Sequence, residues 1–261
     1  MENIIDTQNK QQVMAYELIA NTNSSFFLTG RAGTGKTTFL RNVQKTVGKQ
    51  FITLAPTGVA AILAGGDTIH SFFGLPLDVC TPGTMGKMNE ARILTLIHTD
   101  TIIIDEVSMV RCDVIDAIDY TMRKTLRSSL PFGGKQMVFV GDMFQLPPVS
   151  KRGVEQELMN DLYHTEDFFF YKADVFRRMR LVKIEFQKVY RQEDEGFLRI
   201  LESIRLNKTT PEILMRLNER VCQPTKEDGT VITLASLNRT ADTINQQRLS
   251  EIGSEEYTYE G

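Results

Sequence analysis

The chain has 261 residues, 41% hydrophobic and 24% charged, and its 30 Lys and Arg against 33 Asp and Glu give a net charge of −3. Set against the usual domain size of roughly 100 to 200 residues, that length and the lack of any long biased tract describe one complete globular domain plus part of another, and exclude wholesale disorder, collagen-like structure and a pure coiled coil. The mild acidity leaves no blanket of positive charge, so any nucleic-acid contact has to be a local groove.

Apolar residues at helical spacing, from Val13 and Met14 through Tyr16 and Leu18 to Ile19, predict an N-terminal helix, and 25–29 predicts a short buried strand. A glycine-rich turn follows, then a helix from about 37, a strand at 51–54, a helix around 58–63, a strand at 101–104, a helix over about 112–126 and a strand at 137–140. Strands separated by helical crossovers predict an α/β domain with a mostly parallel sheet and helices on both faces. From 65 to about 92 the pattern loosens into Gly, Pro, Thr and Asp with scattered aromatics, as in an insertion projecting from the sheet edge. Further on, a strand is expected at 181–186, helices at 197–206 and 211–221, a strand at 231–234 and a helix at 240–250, with 257–259 a candidate strand.

Gly30-Arg31-Ala32-Gly33-Thr34-Gly35-Lys36-Thr37 matches G-x-x-x-x-G-K-[ST] between a predicted strand and a predicted helix. Glycines let successive backbone amides curl around phosphate oxygens, and the helix behind them turns its positive end to the same anion. Gly33, Thr34, Gly35, Lys36, Thr37 and Thr38 are the expected nucleotide-binding set, with Lys36 reaching the β- and γ-phosphates and the Thr37 hydroxyl ligating Mg²⁺. The competing structural reading is a glycine turn that merely caps a helix.

The continuous apolar run Thr101-Ile102-Ile103-Ile104 reads as a central parallel strand and ends directly in Asp105-Glu106, at the end where open α/β sheets bind ligands. Asp105 is suited to hold Mg²⁺, usually through water, and Glu106 to polarise an attacking water, a pair that points to triphosphate hydrolysis. Solvated acids at a strand end are the alternative. A third strand end runs into Gly141-Asp142-Met143-Phe144-Gln145-Leu146-Pro147-Pro148. Gln145 there is either a switch that donates to the γ-phosphate in one nucleotide state, or a turn residue before a rigid Pro-Pro corner.

Together the cradle, Ala55-Pro56-Thr57-Gly58-Val59-Ala60-Ala61, Thr68-Ile69-His70-Ser71-Phe72-Phe73, Ile104 to Met109 and Gly141 to Pro148 resemble, in order and over almost the whole chain, the petite integration frequency (Pif) helicases of superfamily 1B, relatives of the RecD helicase subunit. The resemblance implies a RecA-like P-loop NTPase domain over 1–190 with a small wedge-like insertion, the start of a second RecA-like domain over 191–261, and ATP-driven 5′-to-3′ movement on single-stranded DNA with unwinding of duplexes, forks and G-quadruplexes. It implies adenine recognition by Gln12 and a γ-phosphate contact from Arg191, which taken alone reads as a solvated surface arginine. It also implies DNA contacts from Pro56, Thr57, Gly58 and Val59, then from His70, Ser71 and Phe72, the last by stacking on a base for ~1–3 kcal/mol. Without the resemblance, Phe72 and Phe73 read as core.

The family's later blocks, which should follow Asn238 and Asn245, do not appear before Gly261, so a truncated form is expected. The runner-up is a nucleotide-dependent DNA-binding module without productive turnover, and a small-molecule phosphotransferase lacks an evident acceptor pocket or arginine-rich lid. No window approaches the ~18 apolar residues of a membrane span, and the start MENIIDTQNK has no basic region leading into an apolar one. A monomer in the cytoplasm, associated with a bacterial nucleoid, or in a eukaryotic nucleus, is expected. Cys80, Cys112 and Cys222 have no Cys-x-x-Cys spacing and suggest neither disulfide nor zinc.

Overall fold

The structure, a computed structural model, describes residues 5–84, 86–150, 153–190, 194–219, 221, 232–254 and 257. Arg191, Val231, Thr258 and Tyr259 lie outside the described residues. The chain divides into two compact units, Met1–Lys208 and Thr209–Gly261.

In the first unit, β1 (Phe26–Gly30), β2 (Phe51–Ala55), β3 (Asp67–Thr68), β4 (Thr101–Ile104), β5 (Gln136–Val140) and β6 (Val182–Phe186) form one sheet of order β3-β2-β4-β5-β1-β6. Every pairing is parallel. α1 (Lys10–Asn21) precedes β1, the crossovers carry α2 (Lys36–Thr46), α3 (Gly58–Ala64), α4 (Ile69–Phe73), α5 (Glu90–His98), α6 (Cys112–Leu126) and α7 (Val154–Tyr163), and α8 (Glu195–Arg205) follows β6. Alternate strand residues face opposite sides. Accordingly Ile103, Val138 and Leu28 bury against α1 and α2 through Ile19, Phe39 and Val43, whereas Ile102, Ile104 and Phe139 bury against α6 through Ile115, Ile118 and Met122. Strands covered on both faces explain the unbroken apolar runs. The order also sets β4, β5 and β1 side by side, so the sequence-distant ends carrying Glu106, Asp142 and the glycine turn open on one crevice.

The predicted strands of this unit and the helices on its two faces form as expected, and three helices, α4, α5 and α7, appear that periodicity missed. Asn89 caps α5 by accepting from the Arg92 N–H at 2.8 Å, and α7 opens with Glu155 and Glu157 in its first turn. The segment 65–92 does not simply project. β3 pairs with β2 through Leu54↔Asp67 and Ala55↔Thr68, Ile69 and Phe73 enter the core, and the buried Cys80 N–H donates to Asp113 Oδ2 at 2.8 Å. Apolar side chains dispersed among turn residues anchor it. The first compact unit also runs beyond residue 190, because α8 is tied to the strand ends by the ion pairs Arg31–Glu202 and Arg205–Asp142.

The second unit carries α9 (Pro211–Asn218) and α10 (Asn238–Ser250). The expected strand at 231–234 is corrected over 232–234, where Ile232 and Leu234 are 84% and 93% exposed. β structure needs a ladder neighbour, and none exists there among the described residues. Tyr257, in the candidate strand at 257–259, lies outside regular structure.

Candidate active site

The turn after β1 uses glycine where a side chain has no room. At Gly30 (φ 149°) a Cβ would lie 2.5 Å from the Phe186 carbonyl oxygen and 2.9 Å from Thr34 Oγ1. Gly35 sits at φ 81° as the N-cap of α2, in the left-handed region that favours glycine. No side chain caps α2 and no acid occupies its first turn, so its N–H groups and positive end are left for an external anion. Lys36 Nζ folds back over the loop, donating to Gly30 O at 2.7 Å and Arg31 O at 3.1 Å. Burial pushes its pKa down, while Asp142, Glu106 and Asp105 push it up.

Across the cleft, Asp105 Oδ1 accepts from the Glu106 N–H at 2.9 Å. Glu106 adopts left-handed φ/ψ of 50° and 41°, uncommon for a residue with a Cβ and a conformation that clusters at functional sites. Burial raises the pKa of Asp105, and burial followed by the neighbouring Asp105 raises that of Glu106; Lys36 opposes both. Two half-buried carboxyls thus share one lysine, a grouping that gains from an added cation. The cleft measures ≈ 300 Å³ and is lined by 32–38 of the loop with Asp105, Glu106, Asp142, Gln145 and Tyr190. At Gln145 the N–H closes a turn on Asp142 O at 2.9 Å and the residue also lines the cleft, a placement compatible with both of its sequence readings.

Gln12 is 6% exposed in α1 and reaches the rim of this cleft through Tyr190. Its Oε1 accepts from the Asp6 N–H at 2.9 Å and its Nε2 donates to the Tyr190 hydroxyl at 3.4 Å. Tyr190 donates its hydroxyl proton to Asp6 Oδ2 at 2.7 Å and its backbone N–H to Gly33 O at 2.8 Å, so the ring stands beside the phosphate loop. Asp6 is held down at about 2 by hydrogen bonds from Lys188 and Tyr190.

Of the seven expected DNA residues, Pro56, Thr57 and His70 line a second cleft of ≈ 300 Å³, together with Leu77, Arg111, Pro147 and Val149 among others. Gly58 and Val59 are exposed at the start of α3, where Thr57 Oγ1 accepts from the Ala60 N–H at 3.3 Å. Ser71 is exposed and accepts from Arg92 Nη2 at 2.8 Å. Phe72 is a correction: at 3% exposure it is core and packs edge-on to Phe73 with centroids 5.0 Å apart. One face of α4 buries Ile69, Phe72 and Phe73, at helical spacing i, i+3 and i+4, leaving His70 and Ser71 outward. Burial and then Arg111 push the His70 pKa down.

Sequence reasoning missed Tyr190, Asn9 and Asp6 beside Gln12, and Arg205 beside Asp142. Tyr190 is the neighbour of Arg191, which the resemblance had singled out. Arg205 had no local signal, since its partner is 63 residues away.

Comparison with known proteins identifies the family and the fold. A family model described as PIF1-like helicase matches residues 7–213. The chain is 31% identical over 249 residues to the human ATP-dependent DNA helicase PIF1, covering 90% of this chain and 36% of that protein, so it spans little more than a third of that relative's length. Among solved structures it is similar to Pif1 helicase from Bacteroides in complex with ADP-AlF3 and ssDNA, with a TM-score of 0.88 and 36% identity over 96% of this chain and 59% of that one. A structure of forked-dsDNA unwinding by two coordinating Pif1 helicases gives a TM-score of 0.86 and 39% identity, over 94% and 58% of the two chains. The six-stranded parallel sheet is therefore the RecA-like P-loop NTPase fold.

Proposed function

The chain belongs to the PIF1-like helicase family, and from that premise we propose that it is the ATPase portion of a 5′-to-3′ DNA helicase, coupling ATP hydrolysis to movement along single-stranded DNA and to opening of forks and G-quadruplexes. One observation carries the reading: a single cleft of ≈ 300 Å³ gathers Lys36, Thr37, Asp105, Glu106 and Gln145 from three adjacent strand ends. The uncapped start of α2 and the Gly33, Thr34 and Gly35 amides take the phosphates, with Thr38 on the same wall. Lys36 exchanges its loop carbonyls for the β- and γ-phosphates. Glu106 takes the proton of the attacking water. Gln145 reports the γ-phosphate, Gln12 with Tyr190 receives the adenine, and Arg191 supplies a further γ-phosphate contact, an arginine type worth about 10³ to 10⁵ in rate in related NTPases.

The donor set fits Mg²⁺. The Thr37 hydroxyl and the Asp105 carboxylate line the cleft as hard oxygen donors, the kind that hold this ion together with substrate phosphates. Thr37 and Asp105 would hold it, and when bound it neutralises phosphate charge. The DNA strand lies over Pro56, Thr57, Gly58, Val59, His70 and Ser71, contacting backbone and base faces without reading sequence. The first compact unit, which includes α8, supplies the first RecA-like domain, the residues after Lys208 begin a second, and the protein works as a monomer wherever the cell keeps its DNA. Among the described residues no helix is long and apolar enough to cross a membrane.

Steady-state ATP hydrolysis with and without single-stranded DNA tests the reading. Strong stimulation by DNA is expected. Binding of both ligands without turnover would make the chain a nucleotide-dependent DNA-binding module instead.

A further inference from the structure

The chemistry above gives Asp142, the carboxylate at the end of β5, no role. Yet its side chain is only 4% exposed, and of the three acids that favour the Lys36 ammonium it acts most strongly. Arg205 of α8 meets it with a fork, Nη2 to Oδ1 at 3.0 Å and Nε to Oδ2 at 3.3 Å, and lays its guanidinium over the Phe144 ring, 4.2 Å from the centroid. Asp142 Oδ1 also accepts from the Phe144 N–H at 3.1 Å, and Asp142 O accepts from the Gln145 N–H at 2.9 Å. The carboxylate that Arg205 grips therefore shapes the turn that carries Gln145.

The same helix reaches the opposite wall. Glu202 lies 3.2 Å from Arg31 of the phosphate loop and 3.8 Å from Arg205. A solvent-exposed ion pair contributes little wherever it sits, but the Asp142 carboxylate is shut away from water. Removing its arginine leaves a buried charge facing Lys36 from a loosened turn. The bidentate fork also fixes orientation in a way that a point charge does not.

We propose that Arg205 is a positioning residue for the nucleotide's third phosphate: by holding Asp142 it sets the turn that presents Gln145, and through Glu202 and Arg31 it keeps that turn in register with the phosphate loop. The inference rests on the nucleotide reading of the cleft. It assigns α8 a part in telling triphosphate from diphosphate.

Calorimetric titration of the whole chain with a non-hydrolysable ATP analogue and with ADP, each with Mg²⁺, tests it. Arg205→Gln is expected to weaken the analogue about tenfold while ADP stays within about twofold, the size expected for a mispositioned contact. Arg205→Lys, which keeps the charge and loses the fork, should fall between the two. A purely structural role would weaken both nucleotides alike, so an unchanged affinity ratio in Arg205→Gln overturns the inference. Should that variant fail to fold, an unchanged ratio in Arg205→Lys does so. Lys36→Ala, titrated alongside, separates the two failures: if it binds both nucleotides as the parent does, the reading of the cleft itself is wrong. If it loses both while the Arg205 variants keep the parental ratio, only the inference about Arg205 falls.

Discussion

Two clefts of similar size, each ≈ 300 Å³, open at the carboxyl edge of one sheet, and their walls treat charge in opposite ways. In the first, an uncapped helix start and a folded-back Lys36 face Asp105 and Glu106, whose pKa values are raised by burial. In the second, the conspicuous cation is already matched: Arg111 meets Asp113 at 2.8 Å and Glu155 at 2.5 Å, amid Pro56, Ile69, Leu77, Val110 and Pro147. The first suits a compact polyanion and its counter-ion, and the second suits a ligand held by shape and apolar faces. They are not independent, because one turn feeds both, with Gln145 lining the first and Pro147 and Val149 the second. The phosphate-reporting role proposed for Gln145 thus has a short covalent route to the other groove.

The largest effect should come from the first cleft. Glu106→Gln removes the base and keeps the shape, so kcat for ATP hydrolysis is expected to fall by about 10² to 10⁴ with nucleotide affinity retained. Turnover measured beside calorimetric binding checks both halves, and unchanged turnover would sink the assignment of Glu106. Lys36→Ala should come next, weakening nucleotide binding by about 10- to 100-fold, the loss of one or two charge-assisted hydrogen bonds. Its affinity for single-stranded DNA without nucleotide should stay at the parental value. A parallel loss of DNA binding would break the contrast between the clefts.

Legibility in the sequence followed the same divide. The phosphate loop and the acidic strand end are contiguous: glycine spacing, an unbroken apolar run and two acids state their geometry within a few residues, and the structure sets them on one crevice. What depended on distant partners was illegible. Gln12 meets Tyr190 across 178 residues, and Arg205 meets Asp142 across 63, so neither pair leaves a local pattern. Phe72 failed for another reason. Read alone it is a core residue, as the structure has it, and only the family resemblance drew it into the DNA-contacting block. The Pro- and Gly-rich stretch after it concealed the buried Leu75 and Val79 that pin it down.

Phe72 and His70 sharpen the comparison within the second cleft. Phe72→Ala is expected to cost about 3–5 kcal/mol of stability, as for a buried aromatic, seen as a lower urea midpoint. Under conditions where it is fully folded, its affinity for single-stranded DNA should match the parent's. His70→Ala should do the reverse, leaving the midpoint nearly unchanged and weakening DNA binding. A DNA defect in folded Phe72→Ala would restore the aromatic to the interface.

The smallest expected effect concerns whether His70, on the wall of the second groove, stays neutral. Burial, and then the Arg111 guanidinium, hold the His70 pKa below its ordinary 6.5, with Asp113 opposing. As pH falls through that value the unfolded chain binds the proton before the folded one does. Stability from a neutral, folded His70 is therefore fully present above pH 6.5 and declines below it. His70→Gln cannot take up a proton, so the parent should lose more stability than this variant between neutral and mildly acidic pH. Urea unfolding of both proteins at the two pH values isolates the difference, because the other titrating groups are common to them. If the parent instead gains stability relative to His70→Gln on acidification, the ring is stabilised as a cation. The second groove would then share the first cleft's readiness for phosphate.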